Sequence, residues 1–185
     1  MNTNKGVDQD VQLMKRTAQG DSDAFKTIVV RHQASVLNVI YRFVGNRVEA
    51  EDLAQEVFIK VWKSREQYKP VAKFTTWLYR IVTNVSLNAI RRKRASSLDC
   101  LAEIVSDDLS PVGQLLKKET TVVIKNAIGS LPPNQKMAVI LHRFEGLSYK
   151  EISEVMELSL PAVESLLHRA SIKLTEILAP YFDKK

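Results

Sequence analysis

Apolar residues recur at helical spacing along almost the whole chain. Asp8 to Ala18 predicts a short helix that ends near Gly20, and Asp21 to Phe43 a long one with Phe25, Ile28, Val29, His32, Val36 and Ile40 near one face. Gly45-Asn46 breaks that pattern. Glu49 to Lys63 follows, where Leu53, Val57 and Val61 are joined by Ala54, Phe58 and Trp62. Tyr68 to Lys73, with Pro70, reads as a loop, and Phe74 to Arg94 as a second long helix. Ser96 to Pro111 is weakly periodic, acidic and Ser-rich, which predicts a linker. A further helical unit spans 112–178, where Leu131-Pro132-Pro133-Asn134 interrupts the chain before a helix bearing Met137, Ile140, Leu141 and Phe144. No segment alternates convincingly with the period of a strand. The expectation is an all-α protein: two small helical domains, 8–95 and 112–178, joined by a flexible linker over 96–111.

The second unit contains two helical patterns at helix-turn-helix spacing. Ser148, followed three residues later by Glu151, is a capping box, and Ile152, Val155 and Met156 then share a face. Ser159 can cap the next helix, whose first turn tolerates Pro161 because N–H groups there have no helical partner. Val163, Leu167, Ala170 and Leu174 form its inward stripe, which leaves Glu164, Ser165, His168 and Arg169 outward. A polar-faced helix packed on a short partner suits a DNA major groove. An ordinary helical hairpin has the same pattern, so this segment by itself leaves both readings open.

Composition narrows the field. The longest aliphatic run, Met137 to Leu141, is far too short to span a membrane, and Met1 to Asp10 is not a signal peptide. Cys100 is the single cysteine, which excludes an internal disulfide framework and a cysteine-based zinc site and suits a reducing cytoplasm. His32, His142 and His168 lie far apart, and nothing pairs a nucleophile with a base. No catalytic residue, metal site or cofactor is expected.

Charge is unevenly spread. Residues 1–95 hold 17 Lys/Arg against 9 Asp/Glu, 96–118 hold 2 against 4, and 119–185 hold 8 against 8. The positive field peaks between Gln67 and Leu98, where Lys69, Lys73, Arg80, Arg91, Arg92, Lys93 and Arg94 meet no acid. Tyr68, Phe74, Trp77 and Tyr79 are interleaved with them. Cations that track phosphates beside aromatics that stack on bases are the pattern of single-strand binding. Against this field, Glu49, Asp52, Gln55 and Glu56 form an acidic-polar ridge on one helix. The ridge is either a site for a basic partner or a solvated face with carboxylates near a helix N-terminus.

Three separated motifs resemble bacterial sigma factors. They are Asp52-Leu53-Ala54-Gln55-Glu56-Val57-Phe58; Phe74-Thr75-Thr76-Trp77-Leu78-Tyr79-Arg80-Ile81 with Asn84; and Leu131-Pro132 with Glu145-Gly146-Leu147-Ser148-Tyr149 and Glu151-Ile152. The two-domain length resembles the extracytoplasmic-function group, and the match runs from about residue 10 to 178.

The resemblance implies a non-enzymatic transcription initiation factor. It implies that Asp52, Gln55 and Glu56 grip the β′ clamp helices of core RNA polymerase, and that the second domain touches the β flap. It implies that the loop Tyr68 to Lys73, with Lys69, and the following helix recognise and open the −10 element. On that helix Arg80, Asn84 and Asn88, spaced by four, share a face, and Arg91, Arg92 and Arg94 hold phosphates. Asn offers both a donor and an acceptor to a base edge. Trp77 heads a stripe with Ile81 and Val85 that favours the core. Ser159, Pro161, Glu164, Ser165, His168 and Arg169 fall where the −35 element is read. Many family members carry a small Gly-Thr-type pair and outer arginines there; this chain has Pro161-Ala162, Glu164 and Leu166, which alters the expected base preference. An anti-sigma partner is a further implication.

Residues 96–118 would reach roughly 75–80 Å extended, or about 25–30 Å as a coil, enough to separate two DNA-reading domains. The linker acids Asp99, Glu103, Asp107 and Asp108 either mimic nucleic acid, as the resemblance implies, or solvate a plain tether. Two other functions compete. A stand-alone helix-turn-helix regulator predicts a dimer on a palindrome and leaves the first-half motifs unexplained. An enzyme using the acidic ridge has no Gly-rich or metal-ligand motif behind it.

Overall fold

The computed structural model describes residues 4–97 and 115–182, and among these it has eight α-helices and no strand. They are α1 (Asn4–Ala18), α2 (Ser22–Val44), α3 (Arg47–Lys63), α4 (Phe74–Ser97), α5 (Leu115–Gly129), α6 (Pro133–Arg143), α7 (Tyr149–Met156) and α8 (Leu160–Phe182). A single 3-10 turn, Arg65–Gln67, precedes the loop into α4. The readings made on the linker acids and on Cys100 lie outside the described residues.

The boundaries follow from caps. Asp21 accepts from the Ala24 N–H at 2.9 Å and so starts α2. That bond, followed by the Arg16 contact, holds its carboxyl below the usual carboxylate range. Gly45 ends α2 at φ 84°, in the left-handed region that glycine enters without Cβ strain, and its N–H reaches back to the Tyr41 carbonyl. Asn46 then accepts from the Glu49 N–H at 2.9 Å. This cap makes α3 begin at Arg47, two residues before the expected start at Glu49. Ser148 and Glu151 form the full capping box of α7. At the other end α8 runs past residue 178, the expected end of the second unit, to Phe182, with Pro180 carried inside its last turn.

The first unit packs α2 against α1, α3 and α4. Ile28, Val36, Val39 and Ile40 of α2 are fully buried against Val57 and Val61 of α3 and Phe74, Leu78 and Val82 of α4. Two polar groups join this core. Asp10 on α1 is buried and lies between Arg31 and His32 of α2, with the His32 Nε2 at 3.0 Å from its carboxylate. His32 also tilts against Phe74, ring centres 5.2 Å apart.

The second unit is built around α6, where Met137, Ala138, Val139, Ile140 and Leu141 are all buried. Five consecutive apolar residues cannot share one helix face, so such a helix is covered on more than one side. α8 and α7 cover part of it, and α2 and α4 of the first unit cover the rest. The helix-turn-helix buries Ile152 and Val155 of α7 with Val163, Leu167 and Ala170 of α8. Its turn passes through Glu157, a non-glycine residue at φ 55°.

Candidate nucleic-acid interface

The acidic ridge of α3 divides in two. Asp52 and Gln55 are exposed. Glu49 and Glu56 lean instead toward α4: Lys93 Nζ reaches Glu49 at 2.6 Å, and Arg92 reaches Glu56 at 3.3 Å, with Lys60 a further 3.5 Å neighbour of Glu56. Periodicity alone made all four equivalent, and the packing of α4 on α3 separates them. Gln55 also lines an apolar hollow of about 820 Å³ between α2 and α3, with Phe25, Val29, Leu37, Phe58 and Trp62.

On α4, Asn84 and Asn88 are exposed and line a hollow of about 350 Å³ together with Lys60, Lys63 and Gln67. The residues before α4 thus close a polar recess that helix spacing could not reveal, because Gln67 comes from a turn. Arg91, Arg92 and Arg94 are exposed near the end of α4, and Arg91 donates to the Asn88 side chain at 3.5 Å. Lys69 is exposed in the loop. Tyr68 is half-buried, its ring edge-on to Trp77 at 4.9 Å and to Phe74 at 6.1 Å. Burial, with a smaller push from Asp10, raises its phenol above the ordinary value. Trp77 is half-buried in the same cluster, the packed position to which its stripe pointed.

Lys73 and Arg80 face the second unit. Lys73 Nζ lies 2.7 Å from the Glu151 carboxylate. Arg80 donates to the Glu154 carbonyl at 3.1 Å and lies 3.5 Å from the Glu157 carboxylate. One residue earlier, Tyr79 donates its hydroxyl hydrogen to Glu145. Glu151 is held at a pKa of about 2, first by the Lys73 hydrogen bond and then by the Ser148 N–H. Burial, then the Glu145 hydrogen bond, push the Tyr79 phenol well up. Arg42 of α2 stacks over the Phe144 ring at 4.5 Å, and Lys125 of α5 reaches the Tyr41 hydroxyl at 3.2 Å. So the face that periodicity assigned to Arg80, Asn84 and Asn88 splits, with Arg80 turned to α7 and the two asparagines to solvent. The acid cluster Glu145, Glu151, Glu154 and Glu157 was the available signal.

The outer face of α8 is open. Ser159 caps it, with its hydroxyl 3.4 Å from the Ala162 N–H. Pro161, Glu164, Ser165, His168 and Arg169 are exposed, and Arg169 donates to the Ser165 carbonyl at 3.2 Å. On the other side, α5, α6 and α8 enclose an apolar groove of about 910 Å³ lined by Ile124, Ile128, Phe144, Leu174 and Leu178 among others. Among the described residues no His, Cys, Asp and Glu cluster is suited to a metal ion. No helix among them is long and apolar enough to cross a membrane.

Comparison with known proteins accounts for this arrangement. The family model for sigma-70 region 2 matches residues 28–96, and that for sigma-70 region 4 matches residues 121–174. The chain is 35% identical to the RNA polymerase sigma-H factor of Pseudomonas aeruginosa, over 94% of this chain and 95% of that protein. It is 32% identical to the extracytoplasmic-function (ECF) sigma factor SigW of Bacillus subtilis, over 84% and 89%. It is 33% identical to the ECF sigma-E factor of Escherichia coli K12, over 87% and 90%. Among solved structures its fold resembles that of CnrH in complex with the cytosolic domain of CnrY, at a TM-score of 0.71 and 24% identity, covering 93% of this chain and 98% of that one. It resembles equally the sigma factor RpoE of Bartonella quintana in complex with the anti-sigma factor NepR, at 0.71 and 23%, covering 84% and 96%. The all-α fold in two helical domains, the matched regions and the relatives agree: the chain belongs to the ECF group of RNA polymerase sigma factors and is a transcription initiation factor.

Proposed function

We propose that the first domain, residues 8–95, binds core RNA polymerase and reads and melts the −10 element, and that the second, 112–178, reads the −35 element. The observation that carries the first part is the recess beside α4. Asn84 and Asn88 stand exposed over it, with Lys60, Lys63 and Gln67 around it. A recess with amide groups on its wall and two ammonium groups at its rim suits one unstacked base and its flanking phosphates. Arg91, Arg92 and Arg94 continue the positive track along α4. Tyr68, packed edge-on to Trp77, supports the loop that ends in Lys69 and Lys73.

In this reading Asp52 and Gln55 make the exposed contact with the β′ clamp helices, beside the apolar hollow between α2 and α3, and Glu56 joins them from the edge. The groove along α5, α6 and α8 takes an apolar element of the β flap. Ser159, Pro161, Glu164, Ser165, His168 and Arg169 present one exposed surface to the −35 major groove. The chain acts in the cytoplasm, without catalysis of its own, and an anti-sigma protein holds it in reserve; its structural neighbour, RpoE of Bartonella quintana, is in complex with the anti-sigma factor NepR.

Run-off transcription with purified core polymerase tests the proposal. Asn84→Ala should reduce specific transcripts and permanganate-detected melting and leave core binding intact. Normal melting combined with a fall in core affinity would place this face against polymerase instead.

A further inference from the structure

All five residues of the loop from Lys69 to Lys73 are exposed, so its course is set largely where it leaves and rejoins the core. It leaves from Tyr68 and rejoins at Phe74. Those two rings lie 6.1 Å apart, and Trp77 packs on both, at 4.9 Å and 5.8 Å. Tyr68 is held by its ring, because its buried hydroxyl has no hydrogen-bond partner among the described residues. Behind Phe74 stands the ring of His32, at 5.2 Å. His32 is tethered in turn to Asp10 of α1, with Nε2 at 3.0 Å from one carboxylate oxygen, while Arg31 takes the other. A carboxylate only accepts, so Nε2 is the donor. The base of this chain of contacts is firm. Met14 and Thr17 of α1 are fully buried, and α1 packs on the 3-10 turn just ahead of the loop and on α4 just behind it.

We infer that Asp10 and His32 are positioning residues for the −10 loop: α1 holds the imidazole in one pose, and the imidazole fixes Phe74 and, through it, Tyr68, the two ends between which the loop is strung. This rests on the reading of that loop as a −10 contact. Neither residue touches DNA, since both are buried beneath the aromatic cluster. Stability alone does not explain a charged group there. A buried ion pair adds little over apolar side chains of the same volume, whereas a charge-assisted hydrogen bond fixes a direction. Without the tether the His32 ring would be free to turn, and the rings that rest on it would lose a fixed support. An exposed loop of five residues magnifies small shifts at its ends, so the effect falls on which bases it accepts rather than on whether the domain folds.

The test uses holoenzyme assembled from the full chain and a promoter library randomised at the −10 and −35 positions, each template barcoded downstream of its start. Run-off transcripts counted by barcode give the preference for favoured over disfavoured bases at every position. A variant that merely destabilises the fold lowers total transcript and leaves both sets of preferences as they were. His32→Phe keeps a ring against Phe74 and loses the tether, and His32→Gln keeps a donor for Asp10 and loses the ring. Each should flatten preference at the −10 positions by roughly three- to tenfold, the reach of a chain of packed side chains, and leave the −35 positions unchanged. Asp10→Asn, the milder variant, weakens the same bond from the other side, since a neutral acceptor is weaker than an ionised one, and should act in the same direction. Val71→Gly with Ala72→Gly slackens the loop itself and should flatten the same positions. Added to His32→Phe, it should cost nothing further, because the two act on one element. Unchanged −10 preference in the His32 variants, equal flattening at −10 and −35, or full additivity with the slackened loop overturns the inference. If the slackened loop also leaves −10 preference intact, the reading of the loop itself fails and the inference falls with it.

Discussion

Arg92 on α4 reaches back to Glu56 on α3 at 3.3 Å, so a residue of the proposed phosphate-binding track and a residue of the proposed polymerase-facing ridge are partners of one another. Substitutions at the two ends of that ridge should therefore differ. Asp52→Ala with Gln55→Ala removes exposed groups only. Core affinity should fall about tenfold, with folding stability changed by no more than about 0.5 kcal/mol. Glu56→Ala should also weaken core binding, but it frees Arg92, and oligonucleotide binding by the free chain should rise. Fluorescence anisotropy with labelled core and labelled DNA separates the two effects. Equal behaviour of both variants on DNA would mean that Arg92 is not restrained by Glu56.

The contact between α4 and α7 carries a pH signature. Glu151 is held at about 2, below its ordinary 4.5. A depressed carboxylate contributes stability that is fully present above the ordinary value and is lost as pH falls toward the folded one. Tyr79 is shifted upward, so its contribution is fully present below its ordinary 10.0 and is lost at higher pH. Urea midpoints should therefore be insensitive to these two groups from about pH 5 to pH 9 and fall outside that window. Glu151→Gln should flatten the acid limb, and an unchanged limb would remove Glu151 as its source.

Asp10 ties α1 to α2 through Arg31 and His32, and only 6% of it is exposed. Asp10→Ala leaves two buried or half-buried donors without their acceptor and should cost on the order of 1–3 kcal/mol in urea denaturation. Asp10→Asn keeps one acceptor oxygen and should cost less. A loss below about 0.5 kcal/mol for Asp10→Ala would show that water replaces the carboxylate.

On α8, Arg169 and Glu164 should separate phosphate contact from base readout. Arg169→Ala should weaken −35 binding almost uniformly across sequences and lower the salt slope by about 0.9, one contact's worth. Glu164→Ala should relax preference at one base pair by on the order of 1–3 kcal/mol if the contact is good. A saturation series of −35 variants, measured with holoenzyme at two salt concentrations, reads both. A uniform gain in affinity for Glu164→Ala would make that residue merely a repulsive charge.

Local chemistry was legible in the sequence, and long-range pairing was not. Ser148 and Glu151 announced the start of α7 because a capping box needs residues three apart and nothing else. The inward stripe of α8 emerged from spacing in the same way, and Val163, Leu167 and Ala170 are buried. Asp10 and His32 are 22 residues apart, and Lys73 and Glu151 are 78 apart. Periodicity sorts faces into buried and exposed but does not say which exposed face meets which. For that reason spacing groups Arg80 with Asn84 and Asn88, although α7 claims Arg80 and leaves the two asparagines exposed. One clue to the packing of the two units was present in Met137 to Leu141, whose five adjacent apolar residues exceed what one face can bury.

That run in α6 has a consequence for how the chain is made. Synthesis proceeds from the N-terminus, and an early unit folds while the rest is still being added at about 5–20 residues per second. α1 to α4 are complete before α6 emerges, so the surface of α2 and α4 that covers it already exists when it arrives. A helix apolar on every side would otherwise wait exposed for α8, the last element made, and exposed apolar helices associate with one another. The order of the two units along the gene thus gives the later one a template, and reversing that order by circular permutation would leave α6 to find its cover last.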